Sequence, residues 1–142
     1  MLSIHKSALK WTGFDARSNH IGHLIGVAEL VDAGGLTLPG VTLQIELKEH
    51  LTAVRCLYLF SIMKLEKGQR KRLYQLEVSP KTKRTHNGKD AAIYGPHEHN
   101  GEDVIAVDDV SCDNFPKAVA WFFKRTNIAP FPIDNPLKDV EL

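Results

Sequence analysis

Cysteine is scarce in this chain, with two in 142 residues, Cys56 and Cys112. That excludes the dense disulfide framework of small secreted domains, and two buried thiols in a reducing compartment are expected. Long apolar runs are also missing. No stretch approaches the roughly 18 residues of a membrane span, and Lys6, Lys10 and Gly13 interrupt the N-terminal apolar residues before a signal-type core develops. A cytoplasmic protein with no membrane partner is the expectation. Charge of one sign is lacking in bulk: 18 basic residues face 17 acidic ones, a net charge of +1. Any case for nucleic acid must therefore rest on local patches. The chain has no Walker-type loop, no GxGxxG, no CxxC and no serine nucleophile elbow, which removes the usual signals of nucleotide, redox and esterase chemistry.

What is present reads as an ordinary folded domain. Apolar residues make up 43% and charged residues 25%, enough to bury a core without disulfide or metal. A single α+β domain is expected over residues 1–128, followed by a Pro-rich extended arm over 129–142 carrying Pro130, Pro132 and Pro136. Residues 1–20 show little pattern, and irregular structure with one short element is expected there. Residues 20–33 fit two periods. Ile21, Leu24, Ile25, Ala28 and Val31 would make a helical stripe, whereas Ile25, Val27, Glu29 and Val31 alternate as a strand. Gly22 and Gly26 would each cost a helix about 1 kcal/mol, which tips the reading towards a strand.

Later segments are plainer. Val41, Leu43, Ile45 and Leu47 alternate with Thr42, Gln44 and Glu46, a half-buried strand entered at Pro39-Gly40. Residues 56–65 are apolar at nearly every position, as in a central strand covered on both faces. In residues 73–78, Leu73, Gln75 and Glu77 fall on one face and Tyr74, Leu76 and Val78 on the other. Residues 104–110 alternate once more. Pro116 in a first turn, capped by Asp113 or Asn114, opens a helix whose stripe is Phe115, Val119, Phe122 and Phe123. Lys124 and Arg125 suit its last turn, and Asn127 a left-handed stop. The fold expected is α+β, a twisted antiparallel sheet of about five strands with the helix Phe115–Thr126 packed on one face.

Charge and histidine are unevenly placed. Lys64, Lys67, Arg70, Lys71, Arg72, Lys81, Lys83 and Arg84 face only Glu66 and Glu77 in their stretch, while Glu98, Glu102, Asp103, Asp108, Asp109 and Asp113 follow with no base among them. One reading is solvated strand rims. The other is a phosphate-binding surface, with Arg70, Lys71, Arg72, Lys81, Lys83 and Lys89 converging from two turns on one end of the sheet and Tyr58 and Tyr74 stacking on bases. The acidic segment could instead pair with the basic one of a second copy, giving a homodimer.

Between the two runs lie His86, His97 and His99, bracketed by Gly88, Gly95 and Gly101. His97 and His99, two apart, share a face if they lie in a strand. Three readings compete. The histidines are exposed loop residues without a task; or they hold a metal with Glu98 or Glu102; or they work as acid and base on RNA. In the last case one imidazole takes the 2′-hydroxyl proton, another protonates the leaving oxygen, and Arg84, Lys83 or Lys89 stabilises the phosphate charge, with no metal or other cofactor.

The motifs Leu73-Tyr74-Gln75-Leu76, His86, Gly95-Pro96-His97-Glu98-His99 and Asn114-Phe115-Pro116 cover about half the chain. Over that half, the chain resembles the TumE-type toxin family of bacterial toxin–antitoxin loci and related small bacterial and phage proteins. The resemblance implies an intracellular, mobile-element-associated protein acting on RNA, with His97, His99 and less directly His86 carried over, and an antitoxin-like partner. Residues 1–54 and the Pro-rich arm have no counterpart in that family. The expected function is thus a toxin-like, RNA-directed protein, a metal-independent ribonuclease with His86, His97, His99 and Arg84 at its site. The alternative is a non-catalytic module binding protein or nucleic acid through the basic hairpin or the arm, and the third a metal-binding β-fold enzyme.

Overall fold

The computed structural model describes residues 1–49, 55–87 and 92–136, with residues 85–87 described by backbone alone. The strands are β1 Lys6–Leu9, β2 Asp15–Ala16, β3 His23–Asp32, β4 Thr37–Lys48, β5 Tyr58–Glu66, β6 Gln69–Val78, β7 Arg84–Asn87, β8 Ala92–Tyr94, β9 His97–Asn100 and β10 Asp103–Ala106, and the helix is α1 Phe115–Thr126. Eight of these strands form one sheet in the order β1-β3-β4-β5-β6-β9-β10, with β2 also pairing β3, while β7 and β8 make a separate ribbon. Every strand pair is antiparallel. The α+β class stands, but the sheet is wider than the five strands expected. The additional strands β1, β2 and β9 span four, two and four residues, too short for an alternation period to emerge.

Residues 23–32 are a strand. Gly26, which weakened the helical reading, has a specific reason to be there: a Cβ at this position would lie 2.4 Å from the Trp11 ring. The indole sits directly on the backbone of β3 and touches Phe14 and Phe131 edge-on, at 5.4 and 5.7 Å. Strand β4 starts at Thr37, so Pro39-Gly40 lies inside the strand and does not mark its entry. Gly40 has φ +72° and a Cβ there would come 2.7 Å from the Leu65 carbonyl oxygen. Only glycine fits that approach.

Alternation sorts the sheet into two faces. One face carries Leu43, Ile45, Leu47, Tyr58, Phe60, Ile62, Tyr74, Leu76 and Val78, all buried, and α1 covers it. Phe122 stacks on Phe60 at 5.4 Å, and Phe115 meets Tyr58 edge-on at 5.1 Å. The helix has the bounds and caps its sequence predicts. The Asn114 side chain accepts from the Lys117 N–H, and Asn127 closes it in the left-handed region. The start of the Pro-rich arm lies on this layer: the Ala129 N–H donates to the Lys6 carbonyl at 2.7 Å, and Phe131 packs on Phe123 at 5.1 Å. Residues 137–142 of the arm lie outside the described residues.

Cys56 and Cys112 are not the two separate thiols expected. They are joined as a disulfide with Cα atoms 5.6 Å apart. The bridge ties the entry of β5 to the loop before α1, two places 56 residues apart in the chain. Linear spacing held no sign of their meeting, and a disulfide sits poorly with the reducing compartment inferred from the cysteine count. No helix among the described residues is long and apolar enough to cross a membrane.

Candidate functional site

The site lies on the sheet face opposite α1 and is built by β6 and β9. Gly95 starts it, with φ +75° and its α-carbon so close to Lys81 that a Cβ would lie 3.0 Å from the Lys81 Cα. Pro96 follows, and β9 then pairs with β6 so that His97 stands opposite Glu77 and His99 opposite Gln75. The turn at Gly101, with φ +62°, returns the chain as β10, which pairs Ala106 with His97 and Val104 with His99. A four-residue strand of mostly polar side chains thus lies between two partners, and its two imidazoles share a face.

Their geometry is close. The two Nε2 atoms lie 3.1 Å apart, and the rings meet edge-on with centroids at 4.8 Å. His97 Nε2 is 3.6 Å from Glu77 Oε2. One ligand atom from each of Glu77, His97 and His99 falls within 4.8 Å of the others. On the far side of the His97 ring, Nδ1 is 3.0 Å from the Gly95 carbonyl oxygen. That carbonyl can only accept, so Nδ1 carries a proton and donates, and Nε2 is the ring atom that faces His99 and Glu77. His97 is 1% exposed and His99 8%, so water has little access to either.

Glu98 points the other way. Its carboxylate accepts from the Tyr74 hydroxyl at 2.6 Å and from Arg125 Nε and Nη2 at 3.0 and 3.1 Å, a bidentate pair reaching down from α1. Burial foremost, and then the bond to Glu98, push the Tyr74 phenol far above its ordinary range, while Glu98 raises Arg125. Glu98 is therefore a structural residue tying β9 to the helix, not a ligand beside the histidines. Glu102, the other carboxylate nominated from sequence, sits exposed in the β9–β10 turn. The carboxylate that does meet the imidazoles is Glu77, which sequence reasoning placed correctly on a face but never joined to the site. The missing signal was the pairing of β6 with β9 across an 18-residue excursion (79–96).

The remaining nominated residues separate. Arg84 is exposed on β7, its backbone paired with Tyr94 close to Gly95. His86 pairs with Ile93 by backbone in the β7–β8 ribbon, while the His86 side chain and Lys89 lie outside the described residues. Arg70, Lys71 and Arg72 are exposed at the start of β6, whereas Lys81 and Lys83 follow its end. The two basic turns therefore do not converge. Turns at opposite ends of one strand are separated by its length, about 30 Å for the ten residues of β6. Tyr58 and Tyr74, 4% and 1% exposed, face the core and are unavailable for stacking on bases.

No family model, curated protein or solved structure matches this chain.

Proposed function

We propose that this chain is a metal-binding protein in which Glu77, His97 and His99 hold a divalent transition metal on the sheet face opposite α1. The observation that carries the reading is the 3.1 Å approach of two imidazole Nε2 atoms, with the His97 tautomer held by the Gly95 carbonyl. Zinc binds imidazole nitrogen at about 2.0–2.1 Å, so two such nitrogens lie roughly 3.3 Å apart at a tetrahedral angle and roughly 2.9 Å apart at a right angle. The observed spacing falls between these. A backbone carbonyl holding the second ring nitrogen is the usual support for a histidine ligand. Two nitrogens and one carboxylate oxygen suit zinc or a similar ion better than calcium or magnesium, which prefer all-oxygen shells.

Acid/base catalysis on RNA fits this geometry less well. Two imidazoles that work on a phosphodiester must straddle it, and nitrogens in direct contact hold no phosphate between them. Elemental analysis of the purified chain tests the metal reading. One equivalent of zinc or a related ion is expected, and its absence in His97→Ala/His99→Ala. A wild-type chain that stays metal-free after incubation with zinc would mean that the 3.1 Å contact is only an N–H···N hydrogen bond.

A second reading keeps an RNA-directed role, favoured by the exposed Arg70, Lys71 and Arg72 and by the resemblance to TumE-type toxins. It predicts growth arrest when the chain is expressed. Equal growth of cells expressing wild type and His97→Ala/His99→Ala would remove the toxin reading.

A further inference from the structure

Four neighbouring strands bring their ends together on one side of the sheet, where β3 and β5 begin and β4 and β6 finish. A cleft of about 580 Å³ opens there, with His23, Lys48, Glu49, Arg55, Pro80 and Lys83 in its lining. Its volume is that of an ordinary small-ligand site. Its charge is one-sided: Lys48, Arg55 and Lys83 face it against the single carboxylate of Glu49. Among the described residues none of these three cations has a carboxylate partner within ion-pair distance, whereas Arg17 nearby is spent on the buried Glu46. The cations come from three separate segments, so their gathering is a product of the fold, not of a charge run in the sequence. Among the described residues His23 Nδ1, in the same wall, is buried without a hydrogen-bond partner, and Glu46 Oε1 lies 3.6 Å from it.

We infer that this cleft binds the phosphate group of a small organic phosphate, with Lys48, Arg55 and Lys83 as its cationic contacts. Three cations without a carboxylate partner among the described residues, in a cleft that Pro80 and Cys56 also line, favour a compact dianion carrying an organic portion. An extended strand would track a groove instead. The site is separate from Glu77, His97 and His99 and does not depend on their holding a metal.

Calorimetric titration of the full chain tests the inference with three probes: inorganic phosphate, adenosine 5′-monophosphate and a twelve-nucleotide single-stranded RNA. One saturable site for the nucleotide is expected, weakened about tenfold in Lys48→Gln and again in Lys83→Gln, since each removes a charge-assisted contact. Both substitutions lie outside the core, and unchanged thermal unfolding of each variant confirms that it is folded. Inorganic phosphate competing for the same site would show that the phosphate group is what is recognised. The inference is overturned if neither small phosphate binds saturably, if binding survives both substitutions, or if only the RNA binds.

Discussion

Replacing Glu98 by alanine tests the two-faced reading of β9, because the residue lies between two histidines yet belongs to the opposite side of the sheet. Its carboxylate accepts three hydrogen bonds, one from Tyr74 and two from Arg125. Removal strands the Tyr74 hydroxyl, which is 1% exposed, at a cost of about 1–3 kcal/mol for a buried donor without an acceptor. The Arg125 side chain is 35% exposed and can rehydrate, so its share is discounted to about 1 kcal/mol. The sum is about 3 kcal/mol, which for a domain of this length lowers Tm by roughly 10 °C. Thermal denaturation followed by circular dichroism reads it directly. Tyr74→Phe removes the stranded donor, so the double variant should lose less than the two single losses combined, with a coupling of about 1 kcal/mol. Metal stoichiometry should stay unchanged in the folded Glu98→Ala chain. A variant that unfolds at the wild-type temperature, or one that stays folded and loses its metal, would refute the assignment of Glu98 to the helix side.

Two further outcomes follow from the cross-link and from the buried phenols. Cys56→Ser/Cys112→Ser opens a loop closed over a separation of 56 residues, and chain entropy sets the loss at up to about 4 kcal/mol. Denaturant titration should show a lower midpoint; an unchanged midpoint would mean that the bridge does not form in solution. The Tyr58 and Tyr74 phenols are both raised, chiefly by burial, with Asp113 adding to the first and Glu98 to the second. A raised acid stabilises the fold below its unfolded pKa, near 10 for tyrosine, and that contribution is lost as pH climbs above this value. Stability should therefore fall from about pH 10 upward, with tyrosinate absorbance from these two rings appearing only as the chain unfolds. Absorbance from both rings in the still-folded protein would contradict their placement.

Much of the fold is legible in the chain because strong local signals agree with one another. The helix Phe115–Thr126 carries its stripe, its caps and its terminal cations in one stretch, and the structure keeps its bounds. The alternation of Gln75 and Glu77 against Tyr74 and Leu76 likewise survives in β6. What could not be read is long-range. Glu77 and His97 are twenty residues apart, and only the β6–β9 register makes them neighbours. Glu98 looked like a ligand because it stands between two histidines, yet a period of two sends it through the sheet to Arg125. The meeting of Cys56 with Cys112 is likewise a tertiary fact. So is the separation of the two basic turns, which are close in sequence but lie at opposite ends of one strand.

The central claim is that Glu77, His97 and His99 act together on one ion, and titration of the metal-free chain with zinc tests it most directly. At a free zinc concentration a hundredfold above its dissociation constant, binding to the native state adds about 2.7 kcal/mol of stability. One equivalent should bind to the wild type with a raised Tm, Glu77→Gln should bind it more weakly, and His97→Ala/His99→Ala should bind none. Binding that is the same in all three chains would contradict it.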